Sequence, residues 1–261
     1  MIDFDNLNTI PNSILSLIIE KKELIKEELL LESEMHITGN KWKGSHVSKN
    51  NYTECFHKIK GLIQKEKILG FHCTKQTNPN ELHKTGLNQF NHIDYEIWLK
   101  KFLRNKISDK RTIKEIEKCF ISYKEASEYD HRENKLWFVI NKSLIYESGC
   151  KYFFKYYGGE TIRRIMYSFK DVVFPILIQT GIPTVVAFEF KFIELDEYHQ
   201  DNLVKTFIES KTLDNSYKYY TKMRAEGFIK RNIKPKEIIN IFYNNDVEEL
   251  KNAVVNKIYT Q

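Results

Sequence analysis

At 261 residues and 31.2 kDa the chain is long enough to bury a full core, and with 41% hydrophobic and 29% charged residues it reads as an ordinary globular protein rather than a disordered one. Its net charge of +6, from 41 basic against 35 acidic residues spread along the chain, suits a phosphate-bearing ligand as well as a mixed solvated surface and selects no partner alone. The acidic opening Met1-Ile2-Asp3-Phe4-Asp5 lacks the basic start of a secretory signal, the apolar run from Val172 to Phe188 is interrupted by Pro175 and Pro183, and Cys55, Cys73, Cys119 and Cys150 form no CxxC pair. These features predict a cytoplasmic protein with free thiols, no membrane span, no disulfide framework and no cysteine-rich zinc site.

Along the chain, Ile14, Leu15, Ile18 and Ile19 recur at helical spacing behind Pro11 and predict a helix over 11–34; Gly39 and Gly44 then mark a break. A second amphipathic helix is predicted over 52–66, with Phe56, Ile59 and Ile63 on one face, leading into a strand over 68–74. A short helix over 79–87 ends at Gly86, another covers 95–104 with Ile97, Trp98 and Phe102 inward, and a further one covers 112–129.

The texture then turns from helical to β. Residues 135–140 are aromatic and β-branched and read as a strand. An aromatic segment follows over 151–157, ended by Gly158-Gly159, after which Glu160 starts a helix. Two strands are predicted over 172–178 and 183–195, the second with Phe188, Phe190 and Phe192 on one face against Glu189, Lys191 and Ile193 on the other. Residues 227–243 give two short strands around Pro235. The expected fold class is therefore α+β, with a helical extension over 1–66 ahead of a β-rich domain over 67–261.

No GxGxxG, GxxxxGK[ST], HExxH or serine-elbow motif occurs, which removes the Rossmann dehydrogenase, P-loop, zincin and α/β-hydrolase classes. What remains is a set of scattered polar positions. In Gly70-Phe71-His72-Cys73-Thr74-Lys75, the alternate residues His72 and Thr74 share one strand face, and Gly86-Leu87 follows after a short helix. His72 is either a ligand contact or a strand-end histidine bonded to backbone. Tyr152, Tyr156 and Tyr157 are either core or a stacking surface. Glu226 opens a strand after Lys222-Met-Arg224 as a surface carboxylate or a working acid, with Glu160 and Glu189 as the other candidates. Arg163 and Arg164 suit a pyrophosphate or a solvated helix face, and Cys55-Phe-His57 with His72-Cys73 matches no familiar zinc knuckle.

Taken in order, the His-x-Thr strand, the middle tyrosines and the late segment Ala225-Glu226-Gly-Phe-Ile-Lys-Arg-Asn-Ile-Lys-Pro-Lys-Glu-Ile-Ile resemble the ADP-ribosyltransferase superfamily. The likeness covers roughly residues 68–243, and its late strand is similar to that of the DNA-targeting ADP-ribosyltransferase toxins. The Gly158-Gly159-Glu160-Thr161 element has no counterpart in that pattern. The resemblance implies an ADP-ribosyltransferase-like split β-sheet core that takes NAD+ as substrate. His72 and Thr74 would hold the ribose, one of Tyr152, Tyr156 and Tyr157 would lie on the nicotinamide, and Glu226 would stabilise the charge left on the sugar.

It further implies a bacterial toxin or phage-defence effector that modifies a nucleic acid or a protein under the restraint of an antitoxin or regulatory partner. Transfer to water would make it an NAD+ glycohydrolase. The alternatives are a non-catalytic nucleic-acid-binding protein, in which the basic and tyrosine side chains contact phosphates and bases, and a metal-dependent nuclease, for which no tight acidic cluster stands out.

Overall fold

The computed structural model describes residues 1–37, 50–125, 131–146, 148–213 and 225–257. The chain order is α1 (Asn12–Ile37), α2 (Asn50–Ile63), β1 (Lys67–Gln76), α3 (Leu82–Thr85), α4 (His92–Arg104), α5 (Lys110–Glu125), β2 (Leu136–Val139) and α6 (Ser148–Lys155). It continues through α7 (Gly159–Ile165), α8 (Lys170–Gln179), β3 (Ile182–Lys191), α9 (Glu197–Thr212), β4 (Glu226–Ile229), β5 (Ile238–Tyr243) and α10 (Val247–Lys257). One sheet holds all five strands in the order β4-β2-β1-β3-β5, so β1 lies in its middle. β1 and β2 run antiparallel with Phe71 opposite Val139; β3 and β5 run antiparallel with Thr184 opposite Tyr243 and a shift of register between Ala187 and Phe188. Mixed helix and sheet make this an α+β protein, as its composition of elements predicts.

Contacts divide the chain into two compact units, each made of two stretches of sequence. The first comprises residues 1–69 and 190–227. Its helices α1, α2 and α9 pack on one another through Ile14, Ile18, Ile25 and Leu29 of α1, Cys55, Ile59 and Ile63 of α2, and Leu203, Val204, Phe207 and Ile208 of α9, all buried. Four-residue spacing puts these side chains on one face of each helix. Glu28, itself buried, accepts the backbone N–H groups of Asn51 at 3.1 Å and Tyr52 at 2.8 Å, so an acidic side chain satisfies first-turn donors of α2. The chain start joins this unit as well: the Ile2 N–H donates to the Lys67 carbonyl at 2.7 Å and the Leu69 N–H to the Ile2 carbonyl at 2.9 Å.

The second unit comprises residues 70–189 and 228–261. A helical core within it joins Leu99 and Leu103 of α4, Ile116 and Phe120 of α5, Ile162 and Ile165 of α7, and Val173 and Leu177 of α8. Gly86, with φ +74°, closes α3, and the adjoining Leu87 exchanges backbone hydrogen bonds with Ile233 at 3.0 and 2.8 Å. No helix among the described residues is long and apolar enough to cross a membrane.

Several local expectations are corrected. Residues 172–178 are not a strand but most of α8, where Val173 and Leu177, four apart, point into the helical core. A continuous apolar run carries no period of its own, so propensity alone misled; Pro175 is accommodated inside the helix. The aromatic segment 151–157 is helical through Lys155 in α6, so the change to β texture after residue 135 holds only for β2, β3, β4 and β5. Ile97 is 63% exposed rather than inward, because Leu99 and Leu103 form the buried face of α4. β3 stops at Lys191 and Phe192–Glu194 turn as a 3-10 helix, although Phe188, Phe190 and Phe192 are all buried as the alternation requires. The break expected at Gly39 and Gly44 lies outside the described residues.

Candidate functional site

Burial alternates along β1: Phe71, Cys73 and Lys75 are buried, whereas His72, Thr74 and Gln76 are partly accessible. His72 Nδ1 lies 2.8 Å from the Trp137 carbonyl oxygen on the neighbouring strand β2. A carbonyl can only accept, so Nδ1 carries the proton and Nε2 of the neutral ring presents a lone pair. Burial pushes the His72 pKa below the ordinary histidine value, and the Trp137 bond opposes that shift without cancelling it. The side chain is thus a neutral imidazole of fixed tautomer at neutral pH, suited to accept a hydrogen bond from a hydroxyl. Thr74, two residues on, makes only long bonds: its hydroxyl lies 3.4 Å from both the Lys75 carbonyl and Gln76 Nε2.

The buried face of the same strand is occupied differently. Lys75 Nζ donates to the Ile178 carbonyl at 2.6 Å in the last turn of α8, where a cation complements the helix dipole, and burial lowers its pKa. The free Cys73 thiol is hydrogen-bonded to that of Cys150 on α6, and this hydrogen bond and burial raise its pKa well above the ordinary value. Both groups brace β1 from behind and are chemically quiet there.

The three tyrosines have three different settings. Tyr156 is buried in the helical core, 4.8 Å from the Phe174 ring. Tyr152 stacks at 6.3 Å on Tyr156 and lies under the guanidinium of Arg163 at 4.2 Å. Tyr157 is the one brought to β1: its hydroxyl bonds the side chain of Thr77, directly after the strand, and its ring flanks Gly181, which also lies against the Gln76 carbonyl. Trp98 and Phe102 of α4 hold that ring at 4.9 and 5.4 Å, and burial raises its pKa against the Thr77 bond. His72, Thr74 and Tyr157 therefore belong to one unit, Tyr157 packing beside the end of β1.

The carboxylates separate equally clearly. Both oxygens of Glu160 are engaged at 2.9 Å, one by Arg132 and the other by Arg164. Glu189 is half-buried on β3. Glu226 opens β4 in the first unit and is exposed, between buried Ala225 and buried Gly227. Close to it in the same unit is a pair that the sequence reading did not single out: His199 Nδ1 lies 2.5 Å from Asp196 Oδ2, and the His199 N–H donates to Asp196 Oδ1 at 3.2 Å. Burial pushes the Asp196 carboxyl up, but the two bonds from His199 outweigh it and hold its pKa below the ordinary range. An aspartate three residues before a histidine at the head of an apolar-periodic run is an N-cap signal, and it would have located α9.

Among the described residues no group of three or more His, Cys, Asp or Glu side chains is placed to hold a metal ion. Comparison with protein-family models, curated proteins and solved structures finds no match for this chain.

Proposed function

We propose that this protein is an NAD+-consuming ADP-ribosyltransferase of the class its sequence resembles, with an ADP-ribosyltransferase-like core. The observation that carries the reading is His72: a neutral imidazole of fixed tautomer on the middle strand, with Thr74 on the same side. Breaking the bond between nicotinamide and ribose leaves positive charge on the sugar, so the chain needs a group to hold the ribose, a face for the nicotinamide and a carboxylate for the charge. In the second unit His72 and Thr74 suit ribose hydroxyls and one of Tyr152, Tyr156 and Tyr157 the nicotinamide; in the first unit Glu226 is the carboxylate that the resemblance assigns. Glu160 is unsuited to that last role, because two guanidinium groups already neutralise it.

The acceptor we favour is a nucleic acid. Across α6 to α8 the sequence carries Lys151, Lys155, Arg163, Arg164 and Lys170 against Glu160 and Asp171. Arg163 and Lys170 each lie over a tyrosine ring, Tyr152 and Tyr167, at 4.2 and 5.5 Å. Cations interleaved with aromatic rings suit a phosphate backbone with unstacked bases. In this reading the enzyme acts as a bacterial toxin or phage-defence effector restrained by an antitoxin or regulatory partner.

Incubation with NAD+ and single-stranded DNA, RNA or protein acceptors, followed by mass spectrometry, tests the proposal. Free nicotinamide with an ADP-ribose adduct on an acceptor is the expected result, and Glu226→Gln abolishes both while the variant stays folded. Nicotinamide with free ADP-ribose alone makes the protein a glycohydrolase. Nucleic-acid binding that weakens steeply with salt while NAD+ stays intact makes it a non-catalytic binding protein and ends the enzymatic reading.

A further inference from the structure

Glu226 stands on a backbone that the first turn of α9 holds from one side. The next residue, Gly227, is buried, and a Cβ built on it would lie 2.7 Å from Leu195 Cδ2 and 3.6 Å from His199 Cβ. Gly227 does not have a positive φ, so what a larger residue meets here is the tip of the Leu195 side chain and not a backbone restriction. The Leu195 side chain it meets is buried, and its backbone is held at both ends. The Leu195 N–H donates to the Phe192 carbonyl at 3.2 Å, and the Leu195 carbonyl accepts from Gln200 Nε2 at 2.7 Å. His199 is held by the two oxygens of Asp196, one on its ring and one on its N–H. Ala225, on the other side of Glu226, is buried as well.

We propose that Leu195 and the Asp196–His199 pair are positioning residues for Glu226, acting through the close approach of Gly227. This rests on the reading of Glu226 as the carboxylate that meets the developing charge on the ribose. Such a carboxylate acts only over a narrow range of positions, and a displacement of about 1 Å costs on the order of a hundredfold in rate. An exposed glutamate at a strand start has no such precision by itself. The single buried glycine beside it, closed against the buried Leu195 side chain and the Asp196-bound His199, provides it.

The test is nicotinamide release from NAD+ under steady-state conditions, with thermal melting measured on the same samples. Gly227→Ala drives a methyl group into Leu195 and lowers kcat at least tenfold, with KM for NAD+ changed less than twofold. Leu195→Ala combined with Gly227→Ala removes the collision and restores kcat to within about threefold of the parent, although the loss of the leucine lowers Tm further. Recovery of rate against falling stability separates positioning from a purely structural role.

Asp196→Asn keeps the helix cap but sets an amide against Nδ1, and it lowers kcat several-fold at unchanged KM; it reads the same device if Gly227→Ala does not fold. Full kcat in Gly227→Ala, or no recovery in the double variant, overturns this proposal while leaving Glu226 in place through the loss of activity in Glu226→Gln. No nicotinamide release by the unaltered protein overturns both.

Discussion

At the scale of single residues, the tautomer of His72 has a thermodynamic counterpart. Burial and the bond to Trp137 leave its folded pKa below the ordinary value, so the unfolded chain binds a proton more readily than the folded one as pH falls. Its neutral ring therefore contributes fully above about pH 6.5, and that contribution is lost as pH falls from there towards the folded value. Urea unfolding at pH 7.5 and pH 5.5 should show the parent losing more stability on acidification than His72→Gln does. An equal loss in the two proteins would refute the assigned environment. The shared face of His72 and Thr74 and the place of Glu226 at a strand start were legible in the sequence because alternation and strand starts are local signals. Which of Tyr152, Tyr156 and Tyr157 packs beside the end of β1 was not, since it depends on Thr77, Gly181 and Trp98, all distant in the chain.

At the scale of elements, Gly86 shows a turn that only one residue type can make. Its φ of +74° and ψ of −162° fall where side chains are excluded, and a Cβ there would stand 2.0 Å from the Ile233 carbonyl oxygen. Gly86→Ala should cost about 3 kcal/mol or more, by strain and by parting the Leu87–Ile233 pairing. Chemical unfolding followed by tryptophan fluorescence measures it, and a loss below about 1 kcal/mol would contradict the geometry. The glycine was readable as a helix stop from its place after the periodic segment. α8 was not readable as a helix, because β-branched residues around Pro175 favour a strand locally and only Val173 and Leu177 meeting the core of α4, α5 and α7 override that preference. α6 follows the same rule: aromatic residues that favour strands become helical when one face has a helical partner.

At the scale of the whole molecule, each compact unit is assembled from two separated stretches, and no local pattern announces such a pairing. The fold class was within reach of the sequence; the partnership of α1 and α2 with α9 was not, because it joins residues near the start to residues beyond 196. A chain lacking residues 1–66 would leave Phe207, which meets the Phe4 ring at 5.1 Å, and Leu203 facing water. Such a truncation should aggregate or lose a cooperative melting transition, and a soluble fragment with a sharp calorimetric peak would show that the second stretch stands alone. The pairing of Ile2 with Ile68 carries a kinetic consequence. Those two backbone bonds draw a noose around everything from residue 3 to residue 67, a closure whose entropic toll is about 4 kcal/mol. Closing that span is cheapest once α1 and α2 have shortened it, so in a pulsed hydrogen-exchange experiment the Ile2 and Leu69 amides should gain protection after those of the two helices.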